Sequence, residues 1–278
     1  MSEKINEMIT NQIIKHLESG VVPWHLPWTN GEAYNFISGA TYRGINPFIL
    51  ANTGYSRPEW LTYKQAKTKG GNVKKGEKGT TIIFWKMVKT KEEDENGDKI
   101  QKPVLRYFTV FNVEQCEGLE LPELKKREFT IIESAEKIID EMENRPEIKH
   151  GRPKAFYNPR KDLINMPEQD LFLSDPEYYA VLFHELGHST GHKSRLDRFS
   201  KGNNHMFGSK DYSAEELTAE MTAAFLCGNA GIEKVVIENQ AGYIQGWLQV
   251  FKSDTNILIK TAAKAQKASD LILNKKFN

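Results

Sequence analysis

The stretch PEYYAVLFHELGHSTGH, Pro176–His192, contains the residues that decide the fold and the chemistry of the C-terminal half of the chain. His184, Glu185 and His188 stand in the order H-E-x-x-H. Residues four apart on an α-helix lie one above the other, so both imidazoles can bind the same metal ion. Glu185 then lies beside the ion, where its carboxylate can accept a proton from a water molecule on that ion. The spacing therefore predicts a helix that carries a zinc site of the catalytic type.

The flanking sequence favours a buried helix at this position. Ser174 and Glu177 have the spacing of a capping box, and Pro176 is tolerated in the first helical turn. The body of the helix is apolar through Tyr179, Val181, Leu182, Phe183 and Leu186. We therefore expect burial except where the metal site opens. The alternative is a surface helix in which two histidines and a glutamate coincide by chance.

A catalytic zinc ion needs a third protein ligand, with water in the fourth position. The segment SAEELTAEMTAAFLCG, Ser213–Gly228, predicts a second helix, on which Glu216 and Glu220 share a face. We expect Glu216 to be the third ligand and Glu220 to hold a ligand histidine by its other ring nitrogen. The two roles can also be exchanged. Ser213 and Glu216 have capping-box spacing as well, so that Glu216 could serve only to cap the helix.

The composition indicates a soluble globular protein of two modest domains. The chain has 278 residues, 39% of them hydrophobic and 27% charged, which is enough for two hydrophobic cores. No apolar run approaches the roughly 18 residues that a membrane span needs, and the N-terminus lacks a signal pattern. Cys116 and Cys227 lie far apart and outside any C-x-x-C pair. We expect a reduced, cytoplasmic protein without membrane association.

The overall charge of +1 conceals a basic segment in the N-terminal half. Residues 41–90 contain ten lysines and arginines against two glutamates, a local balance of +8. Such a segment can attract a polyanion even in a chain that is close to neutral. A solvated surface without a partner is the alternative.

Two segments rich in β-branched and aromatic residues predict a long hairpin. They are Thr80–Val88 and Val104–Val113, with an Asn96–Gly97 turn signal between them. Aromatic residues next to lysines on a sheet are typical of proteins that bind single-stranded nucleic acid, because bases stack while cations contact phosphates. A sheet buried on both faces would give the same pattern.

These elements predict an α+β protein of two domains. A basic domain of mixed helix and sheet is expected at residues 1–120, a linker at 121–128, and a mainly helical domain with a small sheet at 129–278. Two short strands around Asn158–Pro159 precede the metal helix, and a polar loop over residues 193–212 follows it. In and next to that loop are three further candidate groups for transition-state contacts, namely His192, His205 and Tyr212.

Several blocks in one order resemble the ArdC-type antirestriction proteins of plasmids and other mobile elements, nearly from end to end of the chain. In the N-terminal half the matching blocks are PWHLPW (Pro23–Trp28), YRGIN (Tyr42–Asn46), WLTYKQA (Trp60–Ala66), GGNVKKGEKGT (Gly70–Thr80) and VFNVEQCEGL (Val110–Leu119). In the C-terminal half they are DLINMP (Asp162–Pro167), HELGHSTGHKSRLDR (His184–Arg198) and EELTAEMTAAFLC (Glu215–Cys227).

The resemblance implies a single-stranded-DNA-binding domain followed by a zincin-like metallopeptidase domain. It implies a protein that coats incoming DNA and shields it from host restriction. It also implies one ion, Zn²⁺ or another divalent transition metal, held by His184, His188 and either Glu216 or Glu220, with Glu185 in the catalytic position. The candidate DNA contacts within the matching blocks are Arg43, Trp60, Lys64, Lys74, Lys75 and Lys78.

The expected partners are single-stranded DNA and, for the second domain, host restriction proteins or a peptide substrate. One alternative function is that of an active regulatory metalloprotease recruited to protein substrates on DNA. Another is a binding module whose zinc is only structural.

Overall fold

A computed structural model describes residues 2–18, 32–51, 53–55, 57–93, 99–123, 131–152, 154–172, 174–199, 210–232 and 240–276. The PWHLPW segment, the Asn96–Gly97 turn, His205 and most of the predicted linker lie outside these residues.

The N-terminal half combines three helices with two sheets. Its elements in chain order are α1 (Ser2–Glu18), β1 (Tyr34–Asn35), α2 (Asn46–Ala51), β2 (Glu59–Leu61), α3 (Tyr63–Thr68), β3 (Asn72–Val73), β4 (Thr80–Glu93), β5 (Lys99–Asn112) and β6 (Cys116–Glu117). One sheet has the strand order β1-β2-β5-β4, and β3 pairs with β6 in a second sheet. The α3 helix starts at a complete capping box formed by Thr62 and Gln65.

The predicted hairpin is present and longer than the sequence indicated. β4 and β5 are antiparallel and 14 residues each, with Thr80 opposite Val110 and Val88 opposite Lys102. The polar residues beyond Val88 do not alternate with apolar ones. The backbone pairing extends past Val88 to Glu93, which is opposite Lys99, with a shift of register between Lys89 and Glu93.

The C-terminal half is mainly helical around a small mixed sheet. Its elements are α4 (Ile131–Glu141), β7 (Glu147–His150), β8 (Phe156–Asn158), β9 (Leu163–Met166), α5 (Asp175–Ser189), α6 (Lys210–Ala230), α7 (Gln240–Ser253) and α8 (Ile257–Ile272). The central strand β9 runs parallel to β7 and antiparallel to β8, which lies at the sheet edge.

The two helices predicted to carry the metal ligands are both present. The Ser174 side chain caps α5 by accepting from the Glu177 backbone N–H, and Pro176 lies in the first turn, as the sequence indicated. The start of α6 was predicted wrongly. It begins at Lys210, so that Ser213 lies inside the helix and cannot form a capping box with Glu216. For the same reason Tyr212 belongs to α6 and not to a loop.

A glycine allows α5 and α6 to pack closely. A Cβ atom at Gly187 would lie 3.1 Å from the Ala219 Cα and 3.2 Å from the Thr222 Cβ. These distances are shorter than ordinary van der Waals contacts, so a side chain at this position would require a small displacement of α6, and Gly187 permits the close packing.

One hydrophobic cluster joins the two halves of the chain. It contains residues of α1 and α2 together with residues of α6, α7 and α8. The ring of Phe48 in α2 packs against that of Phe225 in α6, with centroids 4.7 Å apart, and both are buried. The hydroxyl of Thr10 in α1 donates to the carbonyl of Thr255, which precedes α8. The division at residues 120 and 129 stays a prediction, while the packing makes both halves parts of a common core.

We predict that Phe48→Ala lowers the free energy of unfolding by about 3–5 kcal/mol, because it removes a buried ring and leaves a cavity against α6. Chemical denaturation followed by circular dichroism measures this change. Ile132→Ala, at an exposed position of α4, is the control and should change stability by no more than about 0.5 kcal/mol. Equal effects of the two substitutions would contradict the packing of α2 on α6.

Candidate metal centre

Three side chains from α5 and α6 converge on one point. The Nε2 atoms of His184 and His188 are 3.1 Å apart. The Glu216 oxygens lie 3.6 Å from the first of these atoms and 3.7 Å from the second. Zinc bonds of roughly 2.0–2.2 Å in tetrahedral geometry place ligand atoms about 3.3–3.6 Å from one another. The three side chains therefore lie close to the separations that a single ion requires.

Among the residues that the structure describes, this is the group of histidine, cysteine and carboxylate side chains that can hold a metal ion. The three ligand atoms all lie within 4.8 Å of one another. Two imidazoles and one carboxylate form a donor set that zinc uses in catalytic sites. Both the geometry and the chemistry of the donors fit a divalent transition metal.

The other ring nitrogen of His184 faces a second carboxylate. His184 Nδ1 is buried and lies 3.5 Å from the Glu220 Oε1. This separation is just beyond a good hydrogen bond, and no closer partner is present for that nitrogen. Glu220 thus occupies the position from which a carboxylate orients a ligand imidazole.

His188 has a corresponding partner that the sequence analysis missed. Its Nδ1 lies 3.5 Å from the Glu215 Oε1. Arg198 holds the Glu215 carboxylate with two N–H donors, at 2.6 and 2.9 Å, and also donates to the Thr190 hydroxyl and the Gly187 carbonyl. Arg198 therefore ties the end of α5 to α6 and fixes the carboxylate behind His188.

No local pattern indicates these two contacts. Glu215 stands beside Glu216 and appears only as one half of an acidic pair. Arg198 reaches the site because the chain turns back after α5, with the Phe199 N–H donating to the Gly191 carbonyl. The block HKSRLDR includes Arg198, but its sequence does not indicate which side chains the arginine contacts.

The carboxylates give the site a strongly negative field. Burial lowers the pKa of His184, but the adjacent Glu216 carboxylate and the charges of Glu220 and Glu185 outweigh it and raise the pKa to about 9. Burial alone would raise the pKa of Glu216, yet the adjacent His184 and His188 imidazoles and the Tyr212 side chain lower it. Such a field stabilises a cation at the centre.

Arg198 has the corresponding effect on Glu215. Burial would raise the pKa of this carboxyl, but the hydrogen bonds from Arg198 and the adjacent His188 imidazole lower it to about 2. The group is therefore a carboxylate at neutral pH, as an acceptor for an imidazole N–H must be.

Glu185 is buried in α5 directly after His184, with 8% of its surface exposed. Its charge acts on His184, which places it in the same electrostatic environment as the three ligand side chains. His192 lies just past the end of α5, with its Nδ1 2.8 Å from the Ser194 hydroxyl.

The five charged residues among the predicted DNA contacts divide into three groups. Lys64, Lys75 and Lys78 are exposed. Lys74 is exposed and donates from its Nζ to the Glu114 carbonyl at 2.9 Å. Arg43 forms an ion pair with Asp270 of α8 and thus contacts the other half of the chain.

The prediction that Trp60 contacts DNA is wrong. It is 2% exposed and packs in a small core with Tyr42, Leu50, Ile82 and Val110. Its indole cannot stack on a base without opening that core, so the predicted DNA contact at this residue is contradicted by its burial.

Comparison with known proteins identifies both halves of the chain. Residues 3–111 match the N-terminal domain of anti-restriction factor ArdC, and residues 133–264 match a zincin-like metallopeptidase. The metal-free crystal structure of the antirestriction ArdC protein from the R388 plasmid is 37% identical, covers 97% of both chains and superposes with a TM-score of 0.80. The chain belongs to the ArdC antirestriction family. The family and the α+β class expected from the sequence are thereby confirmed.

Further comparisons include a metal-bound structure of the R388 protein and two other similar proteins. The Mn(II)-bound structure of the R388 protein is 36% identical over 97% of both chains, with a TM-score of 0.77. The DNA primase TraC of Escherichia coli is 37% identical over 98% of this chain, which spans only 27% of that primase. An uncharacterized Sinorhizobium fredii protein, y4eC, is 36% identical and covered over 90% of its length. Membership of the zincin-like family implies a metal ion in this chain.

Substitution of the two α6 glutamates should separate a ligand from an orienting group. We predict that Glu216→Gln weakens Zn²⁺ binding more strongly than Glu220→Gln, for which a loss of about 10–100-fold is expected. Competition with a chelating dye measures both affinities. Glu141→Gln, an exposed change in α4, is the control and should leave the affinity unchanged. A larger loss in Glu220→Gln would exchange the two roles.

Proposed function

We propose that this chain is an antirestriction protein of a mobile genetic element that binds single-stranded DNA with its N-terminal half and hydrolyses peptides at a metal site in its C-terminal half. The observation that carries the peptidase proposal is the convergence of His184, His188 and Glu216 within 4.8 Å, with Glu185 on the same helix. The match of residues 3–111 to the ArdC N-terminal domain supports the DNA-binding role.

His184, His188 and Glu216 would hold the ion, and Zn²⁺ is the proposed metal because the donors are two imidazoles and a carboxylate. When bound, such an ion supplies Lewis acidity that polarises a peptide carbonyl and makes a water molecule more acidic. The Mn(II)-bound state of the R388 relative makes other divalent transition metals an alternative to be tested.

Glu185 is the proposed general base and acid. It accepts a proton from the attacking water as the oxygen bonds to the carbonyl carbon, and it delivers that proton to the amine nitrogen as the C–N bond breaks. Glu220 and Glu215 keep the two imidazoles oriented, and Arg198 keeps Glu215 in place. The edge strand β8, close to α5, is available to align an extended peptide by main-chain hydrogen bonds.

In the N-terminal half, the exposed lysines of the basic segment are the proposed contacts with DNA phosphates. Lys64 follows β2, and Lys75 and Lys78 lie in the loop between β3 and β4. Phosphate contacts of this kind are independent of sequence, as a protein that coats incoming DNA requires. The cytoplasm is the proposed place of action, and the free thiols of Cys116 and Cys227 are compatible with it.

The cluster shared by α1, α2 and α6 favours a second candidate function. Because both halves belong to a common core, bound DNA would stay at a fixed position relative to the metal centre. That arrangement suits a regulatory protease that acts on proteins bound to the same DNA, including host restriction proteins.

We expect Glu185→Gln to retain the metal and to lose any peptide hydrolysis, because the amide cannot accept the water proton. The assay combines metal analysis with incubation of metal-loaded protein and restriction subunits, with and without single-stranded DNA. Glu177→Gln, near the start of the same helix, is the control. Hydrolysis by Glu185→Gln at the wild-type rate would remove this residue from the mechanism. DNA protection that survives in Glu185→Gln would support coating, while its loss would support the protease.

We predict that the double variant Lys75→Ala/Lys78→Ala binds single-stranded DNA more weakly and with a smaller salt dependence. Each lost phosphate contact should reduce the slope of log K against log salt by about 0.7. Fluorescence polarisation across a salt series measures it. Lys260→Ala/Lys264→Ala removes the same charge from exposed positions of α8. An equal loss in that control would mean that net charge, and not this loop, governs binding.

A further inference from the structure

The β4–β5 hairpin leaves several large apolar side chains exposed. Phe84 is 40% exposed, Phe108 49%, Met87 54% and Tyr107 56%. Large apolar groups clustered on the surface of a folded chain commonly mark a binding site. None of these residues belongs to the β3–β4 loop that carries Lys75 and Lys78.

The strand register divides these side chains between two faces. Residues directly opposite each other in an antiparallel pair point to the same face. Ile82 is opposite Phe108, and Phe84 is opposite Arg106. Lys86 is opposite Val104, and Val88 is opposite Lys102. One face of the hairpin, here called the aromatic–basic face, therefore contains Phe84, Phe108, Lys86, Arg106, Val104, Val88 and Lys102.

Tyr107 and Met87 lie on the opposite face. Tyr107 is opposite Ile83, whose side chain is buried in the cluster shared by the two halves. Among the described side chains, each face thus carries two large apolar groups that are at least 40% exposed, which provides an internal comparison.

One end of the aromatic–basic face is anchored in a hydrophobic core. Ile82 and Val110, at the start of β4 and the end of β5, are buried in the small core that also contains Tyr42. The Phe84 ring lies 6.2 Å from that of Tyr42 and 5.7 Å from that of Phe108, in a tilted and an edge-on arrangement. The two phenylalanines are therefore held in place by the sheet while part of each ring faces solvent.

The charged side chains of the aromatic–basic face indicate which class of ligand it can bind. Lys86, Arg106 and Lys102 are exposed, and the seven residues of this face include no carboxylate. Cations interleaved with open aromatic rings match a single strand, whose phosphates are negative and whose base faces are free. In a duplex the base faces are covered by stacking, so the phenylalanines would have nothing to contact.

We propose that the aromatic–basic face of the β4–β5 hairpin is a binding site for single-stranded nucleic acid, in which Phe84 and Phe108 stack on bases and Lys86 and Arg106 contact phosphates. The proposal rests on the proposed DNA-binding function and names its site. The loop that carries Lys78 leads directly into β4 at Thr80, so the phosphate contacts of that loop would continue along the hairpin.

The test measures binding of the full chain to a labelled oligo-dT by fluorescence polarisation. The strand should exceed the roughly 4–16 nucleotides that comparable sites cover. Phe84→Ala and Phe108→Ala are each expected to weaken binding by about tenfold to a hundredfold. Phe108→Leu should weaken it to a similar extent, since it keeps an apolar side chain but cannot stack as a ring. Arg106→Gln should reduce the salt slope by about 0.7. Circular dichroism checks that each variant is folded.

Tyr107→Ala is the matched control, because it removes an equally exposed ring from the opposite face, and it should change affinity by no more than about twofold. An abasic strand of the same length should bind wild type more weakly and should be insensitive to Phe84→Ala.

The outcomes separate the site from the function. If wild type fails to bind the strand, the proposed DNA-binding function fails. If wild type binds and both folded phenylalanine variants bind equally well, this site is wrong while the function stands. An equal loss in Tyr107→Ala, or an equal loss on the abasic strand, would also overturn the stacking role.

Discussion

The close approach of α5 and α6 is the constraint on which the candidate metal centre depends. Neither helix carries a complete site, since α5 provides two imidazoles and α6 provides the carboxylate. At Gly187 a Cβ atom would lie 3.1 Å from the Ala219 Cα, so a side chain there would require the helices to shift by a few tenths of an ångström. Ligand atoms tolerate displacements of only a few tenths of an ångström from their bonding distances. The glycine within H-E-x-x-H thus contributes as much to the site geometry as the residues that define the motif.

The second requirement is that the imidazoles keep their orientation in the field of several carboxylates. Glu220 stands behind His184, and Glu215 stands behind His188. Such a concentration of negative charge is unfavourable in a buried site unless cations offset it. Arg198 supplies one positive charge through two hydrogen bonds to Glu215 and additionally contacts the end of α5. A bound divalent ion would offset two more of these charges and thereby favour the close approach of these groups.

The sequence predicted what is determined locally and missed what is determined by tertiary contacts. The α5 helix, its Ser174 cap and the spacing of its histidines follow from a few neighbouring residues, and the hairpin follows from two β-branched segments. Glu215 and Arg198 were missed because their contact spans a turn whose direction no periodicity encodes. Trp60 was misassigned because an aromatic residue beside lysines reads equally as a stacking ring and as a core residue. Only the packing around Tyr42 and Leu50 decides between them.

The α6 helix links the metal centre to both hydrophobic cores, because residues on each of its sides contact other parts of the protein. One side carries Glu216 toward the histidines, while Leu217, Met221 and Phe225 face the cluster shared with α1 and α2. Ala223 and Leu226 face the core of the C-terminal half. A helix buried on all sides owes its position to every layer around it. The N-terminal half is therefore part of the support of the metal-binding helix, and an isolated C-terminal half would expose the apolar face of α6 that Phe48 now covers.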